Sequence, residues 1–303
     1  MKLLLGGAQL GSSYGINNEG KYSFNESTKL LEKILLNNDI YGIDTARAYG
    51  LSEQVIGLTL KKNKNLKDIR VFSKLNPFAE NNSRKKSIFS FAKKSIQDSF
   101  FQLKTSKIYS LSFHHFRDWK KENIDIKKLL VKLKSEEKIE KIGISISNPD
   151  ELLEVIKSDY IDMVQIPYNF LDHRWDKCII LNAESPNPKE IYARSIFLQG
   201  MIFSDLKTLK KVTNVTDPKK FTEKIDNIKK ALKINNLEEL AIRYVRSNEN
   251  INGIVLGVDN EDQFNKNLLF FKKDKLSLEE LDYVNKHRPF LGAKTLNPAK
   301  WNE

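Results

Sequence analysis

Two hydrophobic periodicities take turns along this chain, and their eightfold alternation restricts the fold more than any other feature. Short β-rich runs occupy residues 2–5, 41–45, 70–75, 107–114, 141–146, 163–168, 190–197 and 253–258. Between them lie stretches with helical spacing at 26–36, 53–61, 88–103, 126–134, 150–156 and 237–245. In the third of these, Ile88, Phe91, Ala92, Ser95, Ile96, Phe100 and Leu103 set a largely apolar stripe on one face. Asn25 and Ser52 are expected to cap two of the helices, and Pro149 suits the first turn of another. Strands alternating with helices imply parallel pairing through right-handed crossovers. Eight strands in 303 residues favour an α/β fold of the closed (β/α)8 TIM-barrel type over an open doubly wound sheet.

No linker, internal repeat or composition shift divides the chain, so residues 1–303 read as a single domain. Residues 76–84 and 206–219 read as irregular, and the segment after His287 reads as a terminal extension. With 40% hydrophobic residues the chain can bury a large core. It carries no apolar run near the length of a membrane span, and the Leu3-Leu4-Leu5 stretch stops at Gly6 and Gly7. A soluble cytoplasmic protein is expected, with no membrane partner. Cys178 is the only cysteine, so neither an intrachain disulfide nor a cysteine metal cluster is available. The formal charge of +12 raises the possibility of nucleic-acid binding. Its distribution argues against it: lysines alternate with acids along stretches such as 125–141, and the clusters at 84–86 and 127–128 are short.

The active site of such a barrel lies at the C-terminal ends of its strands. Asp44 ends the second run, Tyr49 follows on the turn, Lys74 lies near the end of the third and His114 ends the fourth. Together these types suit hydride transfer to a carbonyl, which makes an alkoxide and therefore needs a proton donor beside the oxygen. A tyrosine with a pKa of about 10 gives up its proton reluctantly at neutral pH, and a neighbouring ammonium helps by stabilising the phenolate. Lys74 fits that part, Asp44 would fix Lys74, and His114 would orient the carbonyl. Plain structural readings stand beside these: Asp44 as a turn residue, Tyr49 as a half-buried aromatic, and one of His114 and His115 as purely structural. Alternation sends the two imidazoles to opposite sides without saying which faces inward.

The run Gly42-Ile43-Asp44-Thr45-Ala46-Arg47-Ala48-Tyr49-Gly50-Leu51-Ser52-Glu53, followed by Ile56-Gly57, resembles the signature of the aldo-keto reductase superfamily. Phe72-Ser73-Lys74 and Leu111-Ser112-Phe113-His114 resemble its lysine and histidine strands. Gly143-Ile144-Ser145, Val164-Gln165-Ile166-Pro167-Tyr168-Asn169, Gln199-Gly200 and the segment from Gly257 to Asn267 resemble its cofactor-binding pieces in the right order. The resemblance implies a barrel that uses a nicotinamide cofactor, usually NADPH, with no metal and a small carbonyl substrate. It implies Tyr49 as general acid, tuned by Lys74 and Asp44, with His114 orienting the carbonyl. It also implies Ser145 and Gln165 at the nicotinamide carboxamide, Ser195 near the pyrophosphate, and Gln263 and Asn267 around the adenosine end.

This chain departs from the family pattern at three positions. Ile146 replaces an asparagine common after the fifth-strand serine, Arg194 stands where a stacking tyrosine is frequent, and Gln263 replaces an arginine that often holds the 2′-phosphate. A guanidinium at 194 can stack or pair with phosphate, and a neutral 263 leaves NADH open beside NADPH. The Gly7-Ala8-Gln9-Leu10-Gly11, Tyr14-Gly15-Ile16 and Ala193 to Gly200 segments are similar to a bacterial branch associated with sugar and surface-polysaccharide synthesis. Arg47 and Trp175 are candidates for the substrate mouth. Two other readings stay open: a Schiff-base lyase built on Lys74, and a cofactor-binding sensor without turnover. The oligomeric state is expected to be a monomer or homodimer.

Overall fold

The computed structural model describes residues 1–11, 23–37, 39–66, 68–78, 85–121, 124–211 and 215–301, without the side chains of 64 and 85–87. Eight strands pair in parallel in chain order: β1 (Lys2–Gly6), β2 (Gly42–Asp44), β3 (Arg70–Lys74), β4 (Ile108–Phe113), β5 (Ile139–Ser145), β6 (Met163–Pro167), β7 (Glu190–Arg194) and β8 (Gly253–Gly257). β8 returns to pair with β1, Leu4 beside Val255, and the sheet closes. The (β/α)8 barrel expected from the alternation is formed, as one domain.

Helices fill the intervals. Those of the first half are α1 (Phe24–Leu35), α2 (Ser52–Lys62), α3 (Lys85–Leu103), α4 (Phe116–Lys120), α5 (Ile124–Ser135) and α6 (Pro149–Val155). They are followed by α7 (Asp176–Ala183), α8 (Leu206–Lys211), α9 (Pro218–Ala231), α10 (Leu237–Ser247), α11 (Glu261–Lys272) and α12 (Leu278–His287). Among the described residues no helix is long and apolar enough to cross a membrane.

The apolar core has two parts, and the smaller one positions the site. The larger cluster lies between sheet and helices, from Leu3 and Leu5 on β1 to Ile254 and Leu256 on β8. The smaller joins Leu4, Phe72, Tyr109, Met163, Tyr192 and Val255. Because side chains alternate along a strand, the residue two positions on shares the same face. Leu4 is thus followed by Gly6, Phe72 by Lys74, Met163 by Gln165, Tyr192 by Arg194 and Val255 by Gly257. Above this apolar layer, at the C-terminal rim, the same faces therefore carry Lys74, Gln165 and Arg194 beside two bare glycines.

Several local expectations are corrected. Ser23, not Asn25, caps α1: its hydroxyl accepts from the Glu26 amide while the Glu26 carboxylate accepts from the Ser23 amide. Ser52 is the first residue of α2 rather than its cap. Its hydroxyl donates to the Gly7 carbonyl at 2.7 Å and shares a hydrogen bond with Thr45, tying α2 to the rim. Pro149 does open α6. Residues 206–219 are not wholly irregular, since α8 and the start of α9 lie there. The segment after His287 packs back on the barrel, burying Leu291, Leu296 and Trp301. Trp175 is fully buried, its indole N–H donating to Asp172, so it does not line a mouth. Arg47 pairs with the buried carboxylate of Glu53, which also accepts from Ser73 at 2.6 Å. The Tyr14-Gly15-Ile16 segment and residues 79–84 lie outside the described residues.

Candidate active site

Lys74 is the anchor of the rim. It is 1% exposed, and its ammonium donates to Asp44 Oδ1 and Oδ2 at 2.7 and 2.8 Å and to the Thr45 carbonyl at 3.0 Å. All three N–H groups are thereby used. The ammonium lies 5.1 Å from the centre of the Tyr49 ring and acts on that phenol through charge. Burial works against the Lys74 charge, but Asp44 and then Tyr49 outweigh it, and the lysine pKa is raised. Asp44 also accepts from Gln165 Nε2 at 2.5 Å. This carboxylate therefore joins the ends of β2, β3 and β6.

Tyr49 sits on the β2–α2 turn, and two glycines hold that turn in place. Gly50 adopts φ +54°, a left-handed conformation that glycine tolerates without steric cost. A Cβ on Gly11 would fall 2.0 Å from the Tyr49 carbonyl, so the β1 loop reaches the turn only because position 11 has no side chain. Against the Tyr49 ring stands His114, centroids 5.7 Å apart at 84°. Burial first, then the charges of Lys74, His115 and Arg194, push the His114 pKa down to about 2, so its imidazole is neutral. His114 Nδ1 is buried and has no hydrogen-bond partner among the described residues. His115 packs on His114 at 4.7 Å and occupies the N-cap position of α4.

Arg194 crosses from β7 to the end of β5. Its Nε donates to Ser145 Oγ at 3.2 Å, and its Nη2 to the Ile146 carbonyl at 2.9 Å and Ser147 Oγ at 3.3 Å. Its Nη1 reaches Ser195 Oγ at 3.4 Å. β7 ends at Arg194 rather than continuing to 197, because Ser195 turns left-handed at φ 55°. Leu198 and Gln199 do the same, at 46° and 52°. Such strain in non-glycine residues gathers where a loop is shaped for a ligand.

A cleft of about 1000 Å³, counting its open mouth, runs from Asp44 and Tyr49 past Gln9 and the Ser195–Phe203 loop to Asp259 and Gln263. That is a ligand-sized volume. Gly6 and Gly257 expose bare backbone on its floor: a Cβ on Gly6 would meet Gly257 Cα at 3.1 Å, and one on Gly257 would meet the Gln9 amide at 2.7 Å. Three polar atoms nearby are buried without partners, Gln165 Oε1 and both side-chain atoms of Asn267. Asn267 lies one helical turn beyond Gln263, whose Oε1 accepts from the Asp259 amide at 2.6 Å.

Tyr49, Asp44, Lys74, His114, Ser145, Gln165, Arg194 and Ser195 are thus brought together at the rim. Gly257 and Gln263 line the cleft farther on, and Asn267 lies behind Gln263. The sequence reading did not single out Gln9, Phe197, Phe203 or Asp259, although Gln9 lies in the quoted Gly7–Gly11 run, Phe197 in Ala193–Gly200 and Asp259 in the cofactor-like Gly257–Asn267 segment.

Residues 2–289 match the family model described as the aldo/keto reductase family. The chain belongs to the aldo/keto reductase family. It is accordingly an oxidoreductase, of a family that reduces small carbonyl compounds with a nicotinamide cofactor. Its fold is similar to that of a holo-form aldo-keto reductase from Bacillus halodurans, with 22% identity, TM-score 0.73, and 95% and 92% of the two chains covered. A thermostable aldo-keto reductase in complex with the inhibitor epalrestat is 20% identical, with TM-score 0.67 and 94% of each chain covered. An aldo-keto reductase from Pseudomonas aeruginosa is 18% identical, with TM-score 0.63 over 89% and 88%. No curated protein matches the chain.

Proposed function

We propose that this aldo/keto reductase converts an aldehyde or ketone to the alcohol, with Tyr49 as the proton donor. The observation that carries the reading is the buried Lys74 ammonium, pinned by Asp44 beneath the Tyr49 ring. When bound, a reduced nicotinamide supplies the hydride. Tyr49 gives its hydroxyl proton to the carbonyl oxygen as negative charge develops there, and the nearby ammonium stabilises the phenolate left behind. Asp44 keeps Lys74 charged and in place. Neutral His114 donates a hydrogen bond to the same oxygen and turns the carbonyl toward the hydride.

Gln165 and Ser145 would hold the carboxamide of the nicotinamide. Ser195 and Arg194 would face its middle, and Gly257, with no side chain, would leave room for it. Asn267, with one donor and one acceptor free, matches the amino group and ring nitrogen of an adenine. The likeness to the family favours NADPH, and the neutral Gln263 keeps NADH in view. A sugar-derived carbonyl and a simple aldehyde are both carried as substrates, the first on the likeness of the Gly7–Gly11 and Ala193–Gly200 segments alone. A buried lone cysteine accords with a cytoplasmic location.

The lyase reading fails to use Tyr49 or the cleft, and Lys74 has no free N–H direction toward a substrate. The test is oxidation of NADPH or NADH against a panel of aldehydes, keto sugars and nucleotide-linked keto sugars. Consumption that depends on the carbonyl supports the reductase; binding without turnover would favour a sensor.

A further inference from the structure

Arg194 is the only cation among the described residues that line the cleft, and it has no acid to balance it. Lys74, behind the rim, is closed into a contact pair with Asp44, whose two carboxylate oxygens both accept from the ammonium. Arg194 is held differently. Its hydrogen-bond partners are all neutral oxygens: Ser145 Oγ, the Ile146 carbonyl, Ser147 Oγ and Ser195 Oγ. Among the described residues no carboxylate forms an ion pair with it.

Those bonds fix where the charge sits. Nε is tied to Ser145 at the end of β5 and Nη1 to Ser195 just after β7, so the guanidinium spans from the residue read as a carboxamide partner to the segment beside the cofactor's middle. Strand register brings the same groups together, since Ser145 pairs with Gln165 across β5 and β6, and Pro167 with Arg194 across β6 and β7. The field of Arg194 also reaches the reacting groups. After burial and stronger neighbouring charges, it counts among the causes that disfavour protonation of Lys74 and of His114.

We infer that Arg194 makes the site selective for the reduced cofactor over the oxidised one, so that the spent cofactor is repelled and leaves. The inference rests on the reading of the cleft as a nicotinamide dinucleotide site. The two forms differ by one charge in the ring: the dihydropyridine of NADH or NADPH is neutral, and the pyridinium of NAD+ or NADP+ is positive. A fixed guanidinium bonded to a carboxamide partner repels the pyridinium and leaves the dihydropyridine unaffected. Because the arginine is partly buried, salt screens this repulsion less than it would at the open surface. A reductase built so is not held by its own oxidised product.

Equilibrium titration of the full chain with NADH against NAD+, and with NADPH against NADP+, followed by calorimetry and tryptophan fluorescence, tests this without any substrate. Comparison within each pair cancels the adenosine end. Wild type is expected to bind the reduced member at least about tenfold more tightly, which raises the potential of the bound couple by about 30 mV. In Arg194→Gln the preference should shrink severalfold, while Arg194→Lys, which keeps the charge and loses the fork of hydrogen bonds, should retain most of it. Equal binding of the two forms by wild type overturns the inference and leaves the cofactor site standing. So does an unchanged preference in folded Arg194→Gln, the result expected if the guanidinium instead pairs with the pyrophosphate and serves both forms alike. Loss of the preference in Arg194→Lys would assign it to shape rather than charge and overturn the inference too. Binding of neither form would overturn the reading of the cleft, and this inference with it.

Discussion

The Tyr49 ring stands edge-on to the imidazole of His114, with centroids 5.7 Å apart at 84°. A phenol and an imidazole held neutral by burial thus stand against one another at the rim.

Tyr49→Phe removes the hydroxyl and keeps the ring. Turnover should fall by about two to four orders of magnitude with cofactor affinity unchanged. Single-turnover reduction and a cofactor titration on the same preparation check this, and full activity in the variant would remove Tyr49 from its role.

His114 is held neutral, which links it to acid stability. In the unfolded chain it protonates near its ordinary 6.5, whereas in the folded site it does so only at about 2. Between those values the unfolded state binds the extra proton, so stability falls as pH drops below 6.5 and is unaffected above it. At pH 5 the loss amounts to about 2 kcal/mol. Urea unfolding of wild type and His114→Asn at pH 7.5 and pH 5 should show a smaller drop in the variant; parallel drops would contradict it.

Replacing His114 should raise KM and lower kcat far more than replacing His115, which occupies the N-cap position of α4. Steady-state kinetics of the two asparagine variants decide this, and the reverse order would move the orienting role to His115.

Lys74→Met strands the buried Asp44 carboxylate, at a cost of about 3–5 kcal/mol in stability. The double variant Asp44→Asn/Lys74→Met should regain part of that stability in thermal melts while remaining inactive. Equal instability of the two variants would mean that the charge pair is not what holds the rim.

Gly11→Ala places a methyl group 2.0 Å from the Tyr49 carbonyl, against backbone that cannot step aside cheaply. Turnover is expected to fall more than cofactor affinity, because the displaced turn carries the proton donor. Loss of both to the same degree would point to general unfolding, visible in circular dichroism.

Much of this was readable in one dimension. All eight strands lie where the alternation puts them, and the Asp44 to Glu53 run marked the rim because its residue types suit one reaction. The helix caps were misread for a local reason: Asn25 and Ser52 both have capping side chains, but the hydrogen bonds that choose a cap depend on where the chain enters the helix. Trp175 looked like a mouth residue because nothing in a sequence shows the partner, Asp172, that draws it into the structure.

Periodicity fixes the kind and order of the elements, since burying one face of a strand or helix imposes a repeat that neighbouring residues must obey. It fixes the parity of each strand only up to a choice of side. That choice was made when the barrel closed and Phe72, Met163 and Tyr192 met inside it, which sent Lys74, Gln165 and Arg194 to the rim. The sharing of Asp44 by Lys74 and Gln165, and the facing of Asp259 into the cleft, join residues far apart in the chain. Contacts of that kind arise from three-dimensional packing, and no local pattern encodes them.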